Sequence, residues 1–236
     1  MTMAMASSTA IDPGGLQRLL SWLSPAYPVG AYTYSHGLER AVEDGAVRDR
    51  AGLVAYVSAV LEAGAGRIDG ALLAAAFRAA EAGDDAALDE VTDLANAWRG
   101  TAETALETLA QGTAFLRVTT AAWPEARLAD FARRHRNAIT HPVALGAAAA
   151  WQGMPLRAVL FGFLSSFAAN IVSAGVRLVP LGQTDGQVAT AALLPVLEAA
   201  TEAALIAELD RLGTAAPMLD LFSLRHETQY TRLFRS

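Results

Sequence analysis

Residues 158–176, AVLFGFLSSFAANIVSAGV, carry no charge and are nearly long enough to cross a bilayer as one helix. The fold class turns on what this segment faces. Gly162, Ser165, Ser166, Ala169 and Ser173 are small residues of the kind that let membrane helices approach closely. Asn170 interrupts the apolar run, however, and the flanks lack the aromatic belts of a spanning helix. The helical segments around it are amphipathic, and a helix that is apolar all round then fits the centre of a bundle better than a bilayer. A spanning helix is the rival reading. The surplus apolar surface also suits a twofold interface built like a core cut in half, with Phe163 and Phe167 as contact candidates.

Outward from this segment, helix follows helix. Ala and Leu dominate, and no alternating stretch of strand length stands out. Residues 24–30, with Pro25, Pro28 and Gly30, read as a bent, extended entry. A helix through 38–42 stops near Asp44 and Gly45. Asp49 caps a helix with Leu53, Tyr56, Val57, Val60 and Leu61 on one face, and residues 68–80 form the next. Asp84 and Asp85 open a helix ending near Arg99. Further helices are expected over about 101–120, 124–136, 142–153 and 156–179. Thr184 and Gln187 read as a capping box for a helix running toward Leu209, kinked or broken at Pro195, and Pro217 as the release of the tail. The expectation is an all-α, single-domain bundle of about nine or ten helices over residues 16–236. Residues 1–15 read as a flexible arm without the basic start and apolar stretch of a secretory signal.

Composition excludes several chemistries. At 236 residues and 53% hydrophobic, the chain can bury a large core. It has no cysteine, hence no disulfide or thiolate site. All 18 Lys+Arg positions are arginine. A Walker phosphate loop, a Schiff base and a pyridoxal phosphate site each need a lysine, so all three are ruled out. The net charge of −6 argues against nucleic acid. The dense basic run, Arg133, Arg134, His135 and Arg136, reads as a solvated helix end or a patch for an acidic partner. The histidines His36, His135, His141 and His226 form no metal-binding spacing, and no nucleophile elbow occurs. No catalytic machinery or cofactor is expected. His36 and His226 read as hydrogen-bonded structural residues, with a scattered metal site, or one shared across a twofold axis by one histidine from each chain, as the rival. The rival from another class is an all-α, lyase-like enzyme with a site made of His141, Arg177 and Tyr34.

Residues 223–236, SLRHETQYTRLFRS, alternate forked donors (Arg225, Arg232, Arg235) with apolar anchors (Tyr230, Leu233, Phe234). His226, Glu227 and Gln229 lie between them. Arg and aromatic side chains are enriched where proteins grip each other, because they bury much area while ordering few torsions. The chemistry alone also allows a solvated strip or a last helix docked on its own domain. With no local helix face after Pro217, the tail from about residue 220 is expected to order only on binding.

This tail resembles the C-terminus of the UreF family of urease accessory proteins. Residues 24–39, SPAYPVGAYTYSHGLE, and 176–187, VRLVPLGQTDGQ, carry the same resemblance, with a weaker echo in 141–146, HPVALG. The segments keep the family's order and spacing over residues 16–236. The resemblance implies a soluble, cytoplasmic, homodimeric chaperone with no catalysis or cofactor of its own. It would join a UreD/UreH-type scaffold to the GTPase UreG in the assembly that delivers nickel to apo-urease. The missing Walker lysine agrees, since the partner would hydrolyse the nucleotide. Tyr32 and Arg232 correspond to family residues implicated in recruiting UreG. Otherwise Tyr32 reads as a core aromatic and Arg232 as a surface arginine paired with an acid. The implied partner-binding set is Tyr32, Arg225, His226, Glu227, Tyr230, Arg232, Leu233 and Phe234. Around Phe161 and Ser165 the chain is more uniformly apolar than some relatives, so dimer contacts do not transfer residue by residue.

Overall fold

Several helices start where the sequence supplies an acceptor for otherwise unpaired N–H groups. The computed structural model describes residues 10–98, 100–136 and 138–235, and every regular element among them is helical. The Asp12 carboxylate accepts from the N–H of Gly14 and Gly15, and Pro13 opens helix α1 (Pro13–Trp22). The flexible arm expected over 1–15 is therefore shorter at its C-terminal side; its first nine residues lie outside the described part. A 3₁₀ turn (Ala31–Thr33) precedes α2 (Leu38–Glu43), α3 (Arg50–Ala63) and α4 (Ala65–Ala82). Then come α5 (Asp85–Ala97), α6 (Ala102–Ala122), α7 (Ala126–Arg134), α8 (His141–Trp151) and α9 (Leu156–Leu178). The last elements are α10 (Gln183–Ala192), α11 (Leu194–Leu205), a 3₁₀ turn (Leu209–Arg211) and α12 (Pro217–His226).

The all-α bundle is as expected, and caps at Asp49 and Asp84 form as read. The helices beyond nine or ten come from α1, from the division at Leu193 and from α12. At Leu193 the axes of α10 and α11 bend by 45°, with Pro195 inside the first turn of α11. Two details differ from the sequence reading. Thr184 and Gln187 are not the capping box of α10; Gly182 takes the extended cap position and its N–H donates to Asp185 at 3.3 Å. Pro217 does not release the chain. It sits at the first position of α12, where its missing N–H costs nothing.

The core is built on close approach. Helices α4 and α8 form the most extensive pair, and Pro142 through Ala149 of α8 are all buried. Small residues let the backbones come near: a Cβ at Gly146 would lie 2.5 Å from the Leu73 carbonyl oxygen. Trp22 of α1 is 2% exposed and meets Phe115 edge-on at 5.4 Å, which fastens α1 to α6.

Helix α9 packs against α2, α3, α4, α8, α10 and α11. Val159, Leu160, Phe163, Leu164, Ala168 and Ile171 are buried. Phe161 and Ser165 are half-buried, and Ala169 and Ser173 are exposed. At spacings of four these residues make one outward stripe. By length and composition alone, both Leu156–Leu178 and Arg50–Ala82 would suffice to cross a membrane, although the second is divided at Gly64 between α3 and α4.

Candidate partner-binding site

The N-terminal entry and the C-terminal segment meet at the end of α9. Gly30 adopts a left-handed conformation (φ 78°) that starts the 3₁₀ turn, and the Thr33 hydroxyl donates back to its carbonyl at 2.9 Å. The turn leaves Tyr32 62% exposed, so it is not a core aromatic. Arg177, in the last turn of α9, donates from Nη2 to the Tyr32 carbonyl at 3.0 Å. The same guanidinium lies 4.5 Å over the ring of Phe234. The Arg235 N–H completes the junction on the Thr33 carbonyl at 2.8 Å.

Beneath this surface the C-terminal segment is fastened by buried acids. Glu39 of α2 is 7% exposed, and its carboxylate accepts from the N–H of Leu233 at 2.8 Å and of Phe234 at 3.0 Å. His226 is fully buried between two carboxylates, with Nε2 3.2 Å from Glu39 and Nδ1 2.8 Å from Glu103. A doubly protonated ring donates to both; either neutral tautomer donates to one. The second oxygen of Glu103 takes Arg232 Nη1 at 2.7 Å.

These contacts correct the expected tail. It is docked on its own domain rather than waiting for a partner to order it, because Glu39, Glu103 and Arg177 supply distant acceptors and a ring contact. His226 and Phe234 point inward and are unavailable as surface contacts. The Glu227 carboxylate faces α6, accepting from the Ala102 N–H at 3.1 Å. Arg225 reaches Asp44 at 3.3 Å, and Asp44 is held below the usual carboxylate range chiefly by its hydrogen bond from Arg40. Tyr32, Arg225, Tyr230, Arg232 and Leu233 remain exposed. The sequence reading gave no role to Glu103 or to Glu39, which closes the 24–39 stretch, and gave Arg177, inside the 176–187 stretch, a role only in the rival enzyme. An acid at Glu39 in the midst of a buried helix face was the available signal.

A second polar cluster lies inside the bundle. His36 Nε2 is 3.1 Å from Glu107, and its ring meets Phe167 edge-on at 4.6 Å. Burial opposes a charge on His36, but the carboxylates of Glu107 and Asp69 overcome it and raise its pKa. His141 sits between Phe115 (5.6 Å) and Phe163 (5.9 Å), and burial pushes it down to about 4. Both line a small cavity of about 40 Å³ with Asp69, Glu107 and Gln111. Among the described residues no group of three or more His, Asp or Glu is arranged to hold a metal ion.

The triad of the enzyme reading is not brought together. His141 is enclosed by rings and Tyr34 is 5% exposed, whereas Arg177 lies at the surface against Tyr32. Phe163 belongs to the core of a single chain at 4% exposure, so as a dimer contact it is corrected; Phe167 is half-buried. The basic run near Arg133 is met by the chain's own acids, with Arg134 and His135 both on Asp89.

Comparison with known proteins adds what geometry alone does not. The family model described as UreF matches residues 47–194. A Granulibacter bethesdensis protein named urease accessory protein UreF is 65% identical over 231 residues, covering 98% of each chain. A protein of the same name from Rhodopseudomonas palustris (strain HaA2) is 52% identical, covering 100% of both. One from Methylorubrum populi is 49% identical over 93% of this chain and 98% of its own. All three are named as accessory proteins rather than enzymes.

Proposed function

Because the chain belongs to the UreF family of urease accessory proteins, with a role in urease maturation, we propose that it is the adaptor between a UreD/UreH-type scaffold and the GTPase UreG. In this reading it works in the cytoplasm as a homodimer, within the assembly that inserts nickel into apo-urease. It performs no catalysis itself. Nickel is cargo of the assembly, and nucleotide hydrolysis belongs to UreG, in keeping with the absence of lysine from this chain.

One observation carries the proposal. Tyr32 and the segment holding Arg232, far apart in sequence, flank the single side chain of Arg177. Tyr32 presents a rigid aromatic body with a polar tip, and Arg232, with one nitrogen on Glu103, keeps 39% of its side chain exposed. The free edge of that guanidinium suits a carboxylate on the GTPase, through paired charge-assisted bonds that lysine cannot reproduce.

The test is titration of UreG, with GTP and Ni²⁺, against the scaffold complex carrying Arg232→Ala, Arg232→Lys or Tyr32→Ala. Truncating either residue is expected to remove about 2 kcal/mol of binding, some thirtyfold in affinity. Scaffold binding is expected to persist. Unchanged UreG affinity, or loss of the scaffold instead, would overturn the assignment.

A further inference from the structure

Arg177 makes contacts in separate directions. Its Nε donates to the Ser173 carbonyl one turn back at 3.2 Å, which orients the guanidinium across the end of α9. Its Nη2 holds the Tyr32 carbonyl at 3.0 Å, and its face covers Phe234 at 4.5 Å. Phe234 is in turn fixed from below, its N–H on the Glu39 carboxylate at 3.0 Å. The charged plane thus lies between a turn made early in the chain and a segment made late. A lysine ammonium would lack both the fork and the flat face.

We propose that Arg177 is a positioning residue, holding the Tyr32 turn and the C-terminal segment in register so that Tyr32 and Arg232 meet a partner as one prearranged surface. The inference rests on the recruiting surface proposed above and adds the residue that assembles it. Arg177 acts through Tyr32 and Phe234. Its contribution to binding is the ordering already done before the partner arrives, which otherwise weakens association.

The test uses the full chain in its scaffold complex, with Arg177→Met, Arg177→Lys, Tyr32→Ala and the double variant Arg177→Met with Tyr32→Ala. Arg177→Met is expected to weaken UreG binding about tenfold and Arg177→Lys less, with melting temperature and scaffold affinity kept. Amide exchange at Arg235 is expected to accelerate, since its N–H lies on the Thr33 carbonyl of the same junction. In the Tyr32→Ala background, Arg177→Met is expected to cost less than its full tenfold, since only the Arg232 side of the surface is then left to be positioned. The same tenfold loss in that background would show direct contact with the partner instead and overturn the inference. So would full affinity in Arg177→Met. Should that variant fail to fold, Arg177→Lys decides: wild-type affinity with wild-type exchange overturns the inference. A neutral Tyr32→Ala would overturn the recruiting surface itself and this inference with it, whereas a sensitive Tyr32 beside a neutral Arg177 overturns the inference alone.

Discussion

The Glu39 carboxylate lies 3.2 Å from the Nε2 of His226 while accepting the N–H groups of Leu233 and Phe234. One buried acid thus joins α2 to α12 and to the segment beyond it. Glu39→Gln tests this, because an amide offers one acceptor oxygen and turns N–H₂ toward groups that are themselves donors. The expected loss of stability is about 1–3 kcal/mol, read by denaturant unfolding. Faster exchange at the Leu233 and Phe234 amides is expected with it; unchanged exchange would remove Glu39 from this role.

Close approach of α4 and α8 predicts a contrast between glycines. A Cβ at Gly146 would stand 2.5 Å from a backbone oxygen, which cannot rotate away. Gly146→Ala is therefore expected to cost about 3 kcal/mol through overpacking. Gly213 has nothing within 4 Å of its would-be Cβ, so Gly213→Ala is expected to be neutral or to stabilise by about 0.5 kcal/mol. Thermal unfolding of the two variants side by side decides it.

Acid stability is set in part by His141. Its folded pKa of about 4 lies below the ordinary 6.5, so the unfolded chain binds the extra proton between these values. The contribution is whole above pH 6.5 and is lost as pH falls toward 4. His141→Leu is expected to flatten this acid limb by on the order of 3 kcal/mol at pH 4. His36 acts in the opposite sense: its raised pKa gives stability that is whole below pH 6.5 and is lost as pH rises through the folded value. Unfolding free energies of the His141 variant and the parent from pH 4 to 7 check the first; parallel curves would show that His141 contributes nothing.

The proposed homodimer places the stripe of Phe161, Ser165, Ala169 and Ser173 at the twofold contact, since along this side of α9 Ala169 and Ser173 are exposed and Phe161 and Ser165 half-buried. Ala169→Arg is expected to give a folded monomer, because a charge without a partner in a dry contact is costly. Phe163→Asp is expected to unfold the chain, its ring being 4% exposed within one copy. Light scattering with a melting curve separates these outcomes. A monomer at micromolar concentration for the unmutated protein would sink the proposed dimer.

Local chemistry made most helix boundaries legible. Asp49 and Asp84 stand where acceptors must stand, and Leu53, Val57, Val60 and Leu61 mark the buried face of α3. Asp12 and Pro13 carried the same kind of signal for α1, which went unread because the residues before them are small and polar. Pro217 was ambiguous: proline serves equally as a stop or a first residue, and only the packing of α12 on α2 chooses. The proposed binding surface was half legible. Tyr32 and Arg232 came from resemblance, but the docking of the segment around them depends on pairs such as Glu39 with Leu233, 194 residues apart, and no local pattern records such a pair.

That separation has a consequence for how the protein is made. At typical synthesis rates Glu39 leaves the ribosome roughly 10 to 40 s before the amides it will hold. Until then α2 carries a carboxylate shaped for a segment that does not yet exist, and the Tyr32 turn has no Phe234 or Arg235 to lean on. In the proposed function, the recruiting surface is thus complete only once residues 233–235 have been made. A ribosome that stops short of Leu233 releases a chain in which the Glu39 carboxylate and the Thr33 carbonyl never meet the amides they hold in the finished protein.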